Sequence, residues 1–266
     1  MTSPRNYQTE AVIIKKTKLG EADSILTLYT PHLGKIQGFA KSLRKPKSKM
    51  AGHLELLTHS AVTLARGRNI DTITGAQTIN SFLPLKTDLD LTSYALYVIE
   101  LVNQFTAEHA EHIENRRLFQ LLLDTLERLA QPGLPADTPG LPKAGDKELV
   151  LRHFELHLLE SVGYRPQLQQ CPACRTALQP VINSFSPAVG GVLCPDCSRT
   201  QALTTQLSVN AQKILRLLQG DDYDTVSRLK MPAELTVELE SVMRNYLRYL
   251  LEREVKSAAW LDMLKG

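Results

Sequence analysis

Four cysteines arranged as two closely spaced pairs constrain this chain more than any other feature of its sequence. Cys171-Pro-Ala-Cys174 and Cys194-Pro-Asp-Cys197 are two C-x₂-C motifs separated by 19 residues. A C-x₂-C turn can place two thiolates at two corners of a tetrahedron, so the two motifs predict a closed four-sulfur site for one structural Zn²⁺. The intervening segment, which contains Gly190-Gly191, can form the hairpin of a zinc ribbon, expected at about residues 168–200.

Two other states of these cysteines remain open from the spacing alone: an unligated pair of redox dithiols, and disulfides. The first residues of the chain lack the apolar stretch of a secretory signal. No apolar run reaches the roughly 18–20 residues that a membrane span needs. We therefore expect a cytoplasmic protein with no membrane association, in which disulfides are disfavoured.

A catalytic zinc site is the alternative use of the same cysteines. His153-Phe-Glu155 followed by Cys171-x₂-Cys174 is similar to the H-x-E…P-C-x₂-C signature of zinc deaminases. Here the proline follows the first cysteine, and the second motif would have no role. His153 and His157 also have i, i+4 spacing and could bind metal on one helix face, but no third ligand is evident. We interpret both as flanks of a packed helix and keep a zinc-dependent deaminase or hydrolase as an alternative.

The hydrophobic pattern changes period along the chain, which predicts an α+β protein. Residues 7–80 contain five strand-like runs, at Ala11–Ile14, Ser24–Thr30, Lys35–Ala40, His53–Leu64 and Thr72–Ile79. Five short strands fit a small closed barrel such as the OB-fold, and an SH3-like barrel fits nearly as well. We assign residues 1–80 to this barrel and residues 81–266 to a helical domain that carries the ribbon as an insertion.

Helical spacing of apolar residues begins near Leu89. Later helices are predicted at Lys147–Val162, which Gly163 would terminate, and at Val209–Leu218 and Ala233–Lys256. Between them, residues 131–146 contain four prolines and three glycines, which predict an exposed loop.

Positive charge is concentrated in the predicted barrel. Residues 1–80 hold 12 Lys/Arg and 5 Asp/Glu, a balance of +7, whereas residues 81–266 have a balance of −4. No acidic residue lies between Ser24 and Leu54, a stretch whose segment 41–49 is too polar to be buried. Its six basic residues are Lys35, Lys41, Arg44, Lys45, Lys47 and Lys49. Arg66 and Arg68 can extend the patch across a neighbouring turn.

Such cations beside a concave barrel face bind nucleic-acid phosphates through counterion release. A merely solvated loop or an acidic lipid surface are the alternatives. The aromatic residues that could stack on bases are few, namely Tyr7, Tyr29 and Phe39, and each could equally be a core residue. We therefore expect contact mainly with the phosphate backbone.

No sequence motif indicates catalysis or a small-molecule substrate. Walker, G-x-G-x-x-G and G-x-S-x-G motifs are absent from the sequence. Glu21 and Asp23 are a possible carboxylate pair, but they lie in a predicted turn with no third partner. We expect a protein that is not an enzyme.

Several motifs, taken in order, make the chain resemble the RecO family of recombination mediator proteins. In the barrel these are Gly20-Glu21-Ala22-Asp23-Ser24, Tyr29-Thr30-x₃-Gly34-Lys35, and the basic loop from Lys41 to Ser48. In the helical part they are Phe154-Glu155-Leu156-x-Leu158-Leu159-x₃-Gly163-Tyr164-x-Pro166-x-Leu168-x₂-Cys171, Phe185-Ser186-Pro187-x₂-Gly190-Gly191-x₂-Cys194 and Arg253-Glu254-Val255-Lys256-Ser257. Each motif is weak alone, and their number and order make the resemblance specific.

This resemblance implies an OB-fold followed by a helical domain with a zinc ribbon. It also implies binding to single- and double-stranded DNA, annealing of complementary strands, and a place at the nucleoid. With RecR as partner, such proteins help load RecA recombinase onto DNA coated by single-stranded-DNA-binding protein. The resemblance makes the basic residues at 35, 41, 44, 45, 47 and 49 candidate DNA contacts. An RNA-binding protein of translation or transcription, with the same barrel and ribbon, is the alternative.

Overall fold

The computed structural model describes residues 5–108, 114–131, 147–220, 223 and 231–265. The chain forms two compact units, one made of residues 1–130 with 259–266 and the other of residues 131–258. The division after residue 80 remains a prediction. The proline-rich loop lies, except for Gln131, outside the described residues.

Five strands form the barrel of the first unit. They are β1 (Asn6–Leu19), β2 (Asp23–Thr30), β3 (Gly34–Ala40), β4 (His59–Ala65) and β5 (Asp71–Asn80). Their order around the barrel is β1-β2-β3-β5-β4, and β4 pairs with β1 to close it. β3 and β5 pair in parallel, whereas the other neighbours are antiparallel. This is an OB-like barrel, which confirms the predicted fold class and decides between the two barrel types.

β1 can pair with two neighbouring strands because it bends at a register shift between Ile13 and Lys15. Its first half pairs with β4, from Asn6 opposite Ala65 to Val12 opposite His59. Its second half pairs with β2. This bend allows five short strands to close without a free edge.

The barrel is filled by one face of each strand, as period-2 alternation requires. Leu26 and Leu28 of β2, Ile36 and Ala40 of β3, and Ile73 of β5 are buried together. Gly38 is required among them, because a Cβ at this position would lie 2.8 Å from the Ile73 side chain. Side chains of β2 and β3 at the alternate positions therefore point out of the barrel.

The predicted strand at His53–Leu64 is wrong in its first half. Gly52–Leu54 forms a short 3₁₀ turn, and the strand begins at His59. Leu54 and Leu57 are buried in this stretch, and Leu57 adopts a left-handed backbone conformation with φ 66°. The apolar residues there pack from a loop, which hydrophobicity alone did not distinguish from a strand.

Three helices complete the described part of the first unit before residue 131: α1 (Pro84–Thr87), α2 (Leu89–Phe105) and α3 (Glu114–Ala130). Asp88 caps α2 by accepting a hydrogen bond from the Leu91 N–H at 3.0 Å. α2 buries Ala95, Val98 and Leu101 at helical spacing, as predicted. α2 and α3 pack against each other and against the barrel.

The second unit combines helices with a small sheet. Its helices are α4 (Lys147–Ser161), α5 (Pro195–Ser198), α6 (Val209–Leu218) and α7 (Ala233–Leu251), and its strands are β6 (Asn183–Ser186), β7 (Gly191–Leu193) and β8 (Thr205–Leu207). Gly163 has φ 85° just past α4, as the predicted terminator requires. α7 ends at Leu251 rather than at Lys256, because Glu252 adopts a left-handed conformation with φ 54°.

A final helix, α8 (Ala258–Lys265), returns almost entirely to the first unit. Within the described ranges, no helix has both the length and the apolar character needed to cross a membrane.

Candidate metal site and nucleic-acid interface

The four cysteines converge on one point of the second unit. The Sγ atoms of Cys171, Cys174, Cys194 and Cys197 all lie within 4.8 Å of one another, and those of Cys174 and Cys194 are 3.8 Å apart. Sulfurs at about 2.3 Å from a tetrahedral zinc ion are separated by roughly 3.8 Å. The donor set therefore fits a single four-coordinate metal ion.

Both C-x₂-C motifs are shaped by local hydrogen bonds. The Cys171 carbonyl accepts from the Arg175 N–H at 2.8 Å, and Arg175 turns the chain with φ 62°. The Cys194 carbonyl accepts from the Ser198 N–H at 3.0 Å, a hydrogen bond of the short helix α5 that begins directly after Cys194. β6 and β7 pair as the predicted hairpin and deliver the second motif to the first.

A threonine hydroxyl lies beside one of the four thiols. Thr176 Oγ1 lies 3.0 Å from Cys174 Sγ, and hydrogen bonding from this hydroxyl lowers the pKa of Cys174 to about 6. Metal ligation by cysteine requires the thiolate, and the Thr176 hydroxyl can stabilise that form of Cys174.

The histidine alternative is wrong in the described part of the chain. His153 and His157 are buried with ring centroids 4.2 Å apart. Nε2 of His157 lies 3.1 Å from both the Leu218 and the Gly220 carbonyl oxygens, so it is used as a donor. Among the described residues, the four cysteines are the one group of three or more histidine, cysteine or acidic side chains that lie close enough together to hold a metal ion.

The basic loop following β3 is exposed where its lysines lie. Lys41, Lys45, Lys47 and Lys49 all have exposed side chains. Successive turns keep the backbone compact, since the Lys45 N–H donates to the Ser42 carbonyl and the Ser48 N–H donates to the Lys45 carbonyl. Four positive charges are thus concentrated on one short segment.

The same loop is fastened to the barrel, contrary to the expectation that the segment is too polar to be buried. Leu43 is 1% exposed and belongs to the barrel core. The Ser42 N–H donates to Asp23 Oδ1 at 2.6 Å, and the Arg44 N–H donates to the Ala22 carbonyl at 2.9 Å. The Arg44 guanidinium, which is half-buried, also donates to the Gly20 carbonyl. Asp23 therefore positions a loop, which gives one of the two turn carboxylates a structural role.

Lys35 lies apart from these exposed cations. It is buried, and its Nζ donates to the Asn103 carbonyl of α2 at 2.6 Å. Burial lowers the pKa of Lys35. Its ammonium group stabilises packing of α2 on the barrel in this structure.

Arg66 and Arg68 are exposed in the turn between β4 and β5. The Arg66 guanidinium lies 4.9 Å from the ring centroid of Tyr7, whose hydroxyl donates to Asp71 Oδ2 at 2.6 Å. β5 begins at Asp71, opposite Gly38 near the end of β3. The turn therefore leads into the strand segment that pairs with Gly38 and Phe39, shortly before the basic loop begins at Lys41.

Sequence reasoning missed three further exposed lysines. Lys15, Lys16 and Lys18 line the second half of β1, which runs toward the turn that anchors the basic loop. The signal was available, because consecutive charged residues in a strand cannot all face a barrel core.

Replacing Asp23 with alanine should release the basic loop from the β1–β2 turn. The Ser42 amide loses a charged acceptor, which contributes about 1–2 kcal/mol at a half-buried position. We expect faster hydrogen exchange at the Ser42 and Arg44 amides and a lower free energy of unfolding in urea. Asp23→Asn keeps an acceptor oxygen and should stay near wild type; equal exchange in Asp23→Ala and wild type would contradict this role.

Comparisons with known proteins cover nearly the whole chain. Residues 1–82 match the family model described as "Recombination protein O N terminal", and residues 86–259 match "Recombination protein O C terminal". A protein of Dehalococcoides mccartyi (strain CBDB1) named DNA repair protein RecO is 48% identical over 265 residues, covering 100% of this chain and 98% of the relative. Proteins of the same name from Roseiflexus sp. (strain RS-1) and Pelotomaculum thermopropionicum are 42% and 33% identical, over 97% and 96% of this chain and 86% and 93% of their own lengths.

Proposed function

The chain belongs to the RecO family of DNA repair proteins, and on that premise we propose that it is a non-catalytic recombination mediator. It binds single- and double-stranded DNA, anneals complementary strands, and helps load recombinase onto DNA coated by single-stranded-DNA-binding protein. The observation that carries this proposal is the anchored loop with exposed Lys41, Lys45, Lys47 and Lys49 at one end of an OB-like barrel.

The charges of this loop suit a polyanion better than a small ligand. Lysine ammonium groups on one short segment can neutralise successive phosphates and release their counterions. Fastening by Leu43 and Asp23 reduces the conformational entropy that the loop loses on binding. Arg66 and Arg68 extend the proposed surface to the neighbouring turn. Lys35 is left out of it because its ammonium group is buried.

Annealing requires no bond-making group in the protein. Two complementary strands repel each other through their phosphates, so neutralising one or both strands lowers the barrier to their encounter. Base pairing then supplies the free energy, and the protein only has to bring the strands together.

We propose that the four cysteines hold one structural Zn²⁺. Four thiolates in a tetrahedral set are the donor chemistry that zinc prefers in structural sites. When bound, the ion cross-links the two C-x₂-C motifs and stabilises the ribbon. A deaminase would need three protein ligands and an open position for water, which the convergence of all four sulfurs disfavours.

RecR and single-stranded-DNA-binding protein are the proposed partners, and the nucleoid in the cytoplasm is the proposed location. Family membership supports both assignments. The acidic balance of residues 81–266, −4 overall, suits protein contacts better than further DNA contacts.

A strand-annealing assay tests the proposal directly. Complementary oligonucleotides carrying a fluorescence energy-transfer pair should anneal faster with the protein, and DNA bound by the single-stranded-DNA-binding protein should still anneal. Matched RNA oligonucleotides, run in parallel, should respond less. A stronger effect on RNA would favour the RNA-binding alternative, and no effect on either nucleic acid would reject the proposal.

A further inference from the structure

Where β2 and β3 pair with each other, six side chains point outward, because strand alternation puts Leu26, Leu28, Ile36 and Gly38 toward the core. These outward residues are Ile25, Thr27, Tyr29, Lys35, Gln37 and Phe39. In OB-folds this strand pair is the usual platform for oligonucleotides. What covers each position therefore decides what the barrel can bind.

Half of these six residues contact the part of the same unit that follows the barrel. Tyr29 is fully buried, with its ring centroid 6.4 Å from that of Phe119 in α3. Lys35 donates to the Asn103 carbonyl at 2.6 Å, and Gln37 Nε2 donates to Glu108 Oε1 at 2.6 Å. Nucleic acid cannot lie along this part of the face without displacing α2 and α3.

The end of the face beside the loops remains partly open. Phe39 and Ile25 are direct cross-strand partners, and both are half-buried. Phe39 lies two residues before the exposed Lys41 and opposite Thr72, at the start of the strand that follows Arg66 and Arg68. An aromatic ring thus lies between two segments that carry exposed cations.

The other two aromatic candidates already have partners. Tyr29 is buried under α3, and Tyr7 is held between the Arg66 guanidinium and Asp71. Phe39 is only half-buried, so part of its apolar side chain is exposed to a ligand at this end of the face. An unpaired base stacks on such a ring, whereas a base in a duplex is stacked between its neighbours.

We propose that Phe39 is the stacking platform for one unpaired base and sets a preference for single strands over duplex. The inference rests on the proposed DNA binding and adds to it a residue that distinguishes the two forms of DNA. The surrounding lysines bind phosphates of either form, so they give affinity without this discrimination.

Phe39→Ala in the full chain tests the role of the ring. We expect its affinity for a single-stranded oligonucleotide to fall about 5- to 150-fold, the range found when a stacking aromatic ring is removed. Affinity for a blunt duplex of equal length should change less than about twofold, because duplex binding depends on phosphate contacts. Phe39→Tyr, which keeps the ring, should restore single-strand binding.

Tryptophan fluorescence can report stacking on this residue directly. Trp260 is the single tryptophan of the chain, so Phe39→Trp combined with Trp260→Phe puts the fluorophore at the proposed site. Single-stranded DNA should quench this fluorescence more strongly than duplex at saturation. The inference would be overturned if Phe39→Ala lost equal affinity for single-stranded and duplex DNA, or if both forms of DNA quenched the tryptophan fluorescence equally. If Phe39→Ala behaves as wild type while loop-lysine variants lose binding, the inference fails and the proposed function stands.

Discussion

Alanine at Lys41, Lys45, Lys47 and Lys49 together is expected to lower the affinity for single-stranded DNA about 10²–10³-fold near 0.1 M salt. Each phosphate contact on a single strand contributes about 0.7 to the slope of log affinity against log salt, so four lost contacts should reduce that slope by roughly 3. The side chains are exposed, and folding should be little affected. Fluorescence anisotropy titrations between about 50 and 300 mM salt measure both the affinity and its salt slope.

A variant with the same change of charge controls for net electrostatics. Arg165, Arg199, Lys213 and Arg253 are exposed cations of the second unit, and replacing all four with alanine also removes four positive charges. Its salt slope should stay close to that of wild type. Equal effects of the two quadruple variants would show that overall charge, not the loop, controls binding.

Cys171→Ser is expected to abolish stoichiometric zinc binding and to unfold the ribbon locally. Cys171 is fully buried, and closing a four-thiolate site contributes on the order of 10 kcal/mol to the folding of small zinc domains. The purified variant should contain far less than one zinc per chain by mass spectrometry. Hydrogen exchange should rise in β6, β7 and β8 and much less in the barrel.

Arg199→Ala, two residues beyond Cys197 and 79% exposed at its side chain, is the matched control and should keep its zinc. A Cys171→Ser protein that still binds one zinc and keeps the protection of its ribbon would contradict the four-sulfur assignment. Loss of metal with single-strand binding retained would agree with a purely structural role.

The ribbon was predictable from sequence because its determinants are local. Two C-x₂-C motifs supply four candidate metal ligands within short, recognisable segments, and Gly163 needs only its own backbone to end a helix. The C-terminal end of α7 and the start of β4 were harder to predict from the sequence. Glu252 is not a residue type that normally adopts φ > 0, and Leu57 is buried from a loop, so neither boundary has a distinctive local signal.

The proposed nucleic-acid surface was only partly predictable because exposure is a tertiary property. Lys35 occupies an outward strand position, and alternation cannot tell that α2 will cover it. Leu43 is a single apolar residue among cations, too short a signal to predict that it enters the barrel core. Phe39 and Tyr29 are equivalent in the strand pattern, and only the structure shows that Tyr29 packs against Phe119 and donates to Asn115 Oδ1.

The helical cover on the β2–β3 face has a consequence for the length of the nucleotide stretch that one molecule occupies. A strand held at the loop end meets α2 and α3 after a short distance, so we expect a footprint near the lower end of the roughly 4–16 nucleotides seen for OB-folds. With so small a footprint, we expect the bases on either side to keep their Watson–Crick edges unshielded. In the proposed annealing reaction they would then begin pairing with an incoming complement before the protein dissociates.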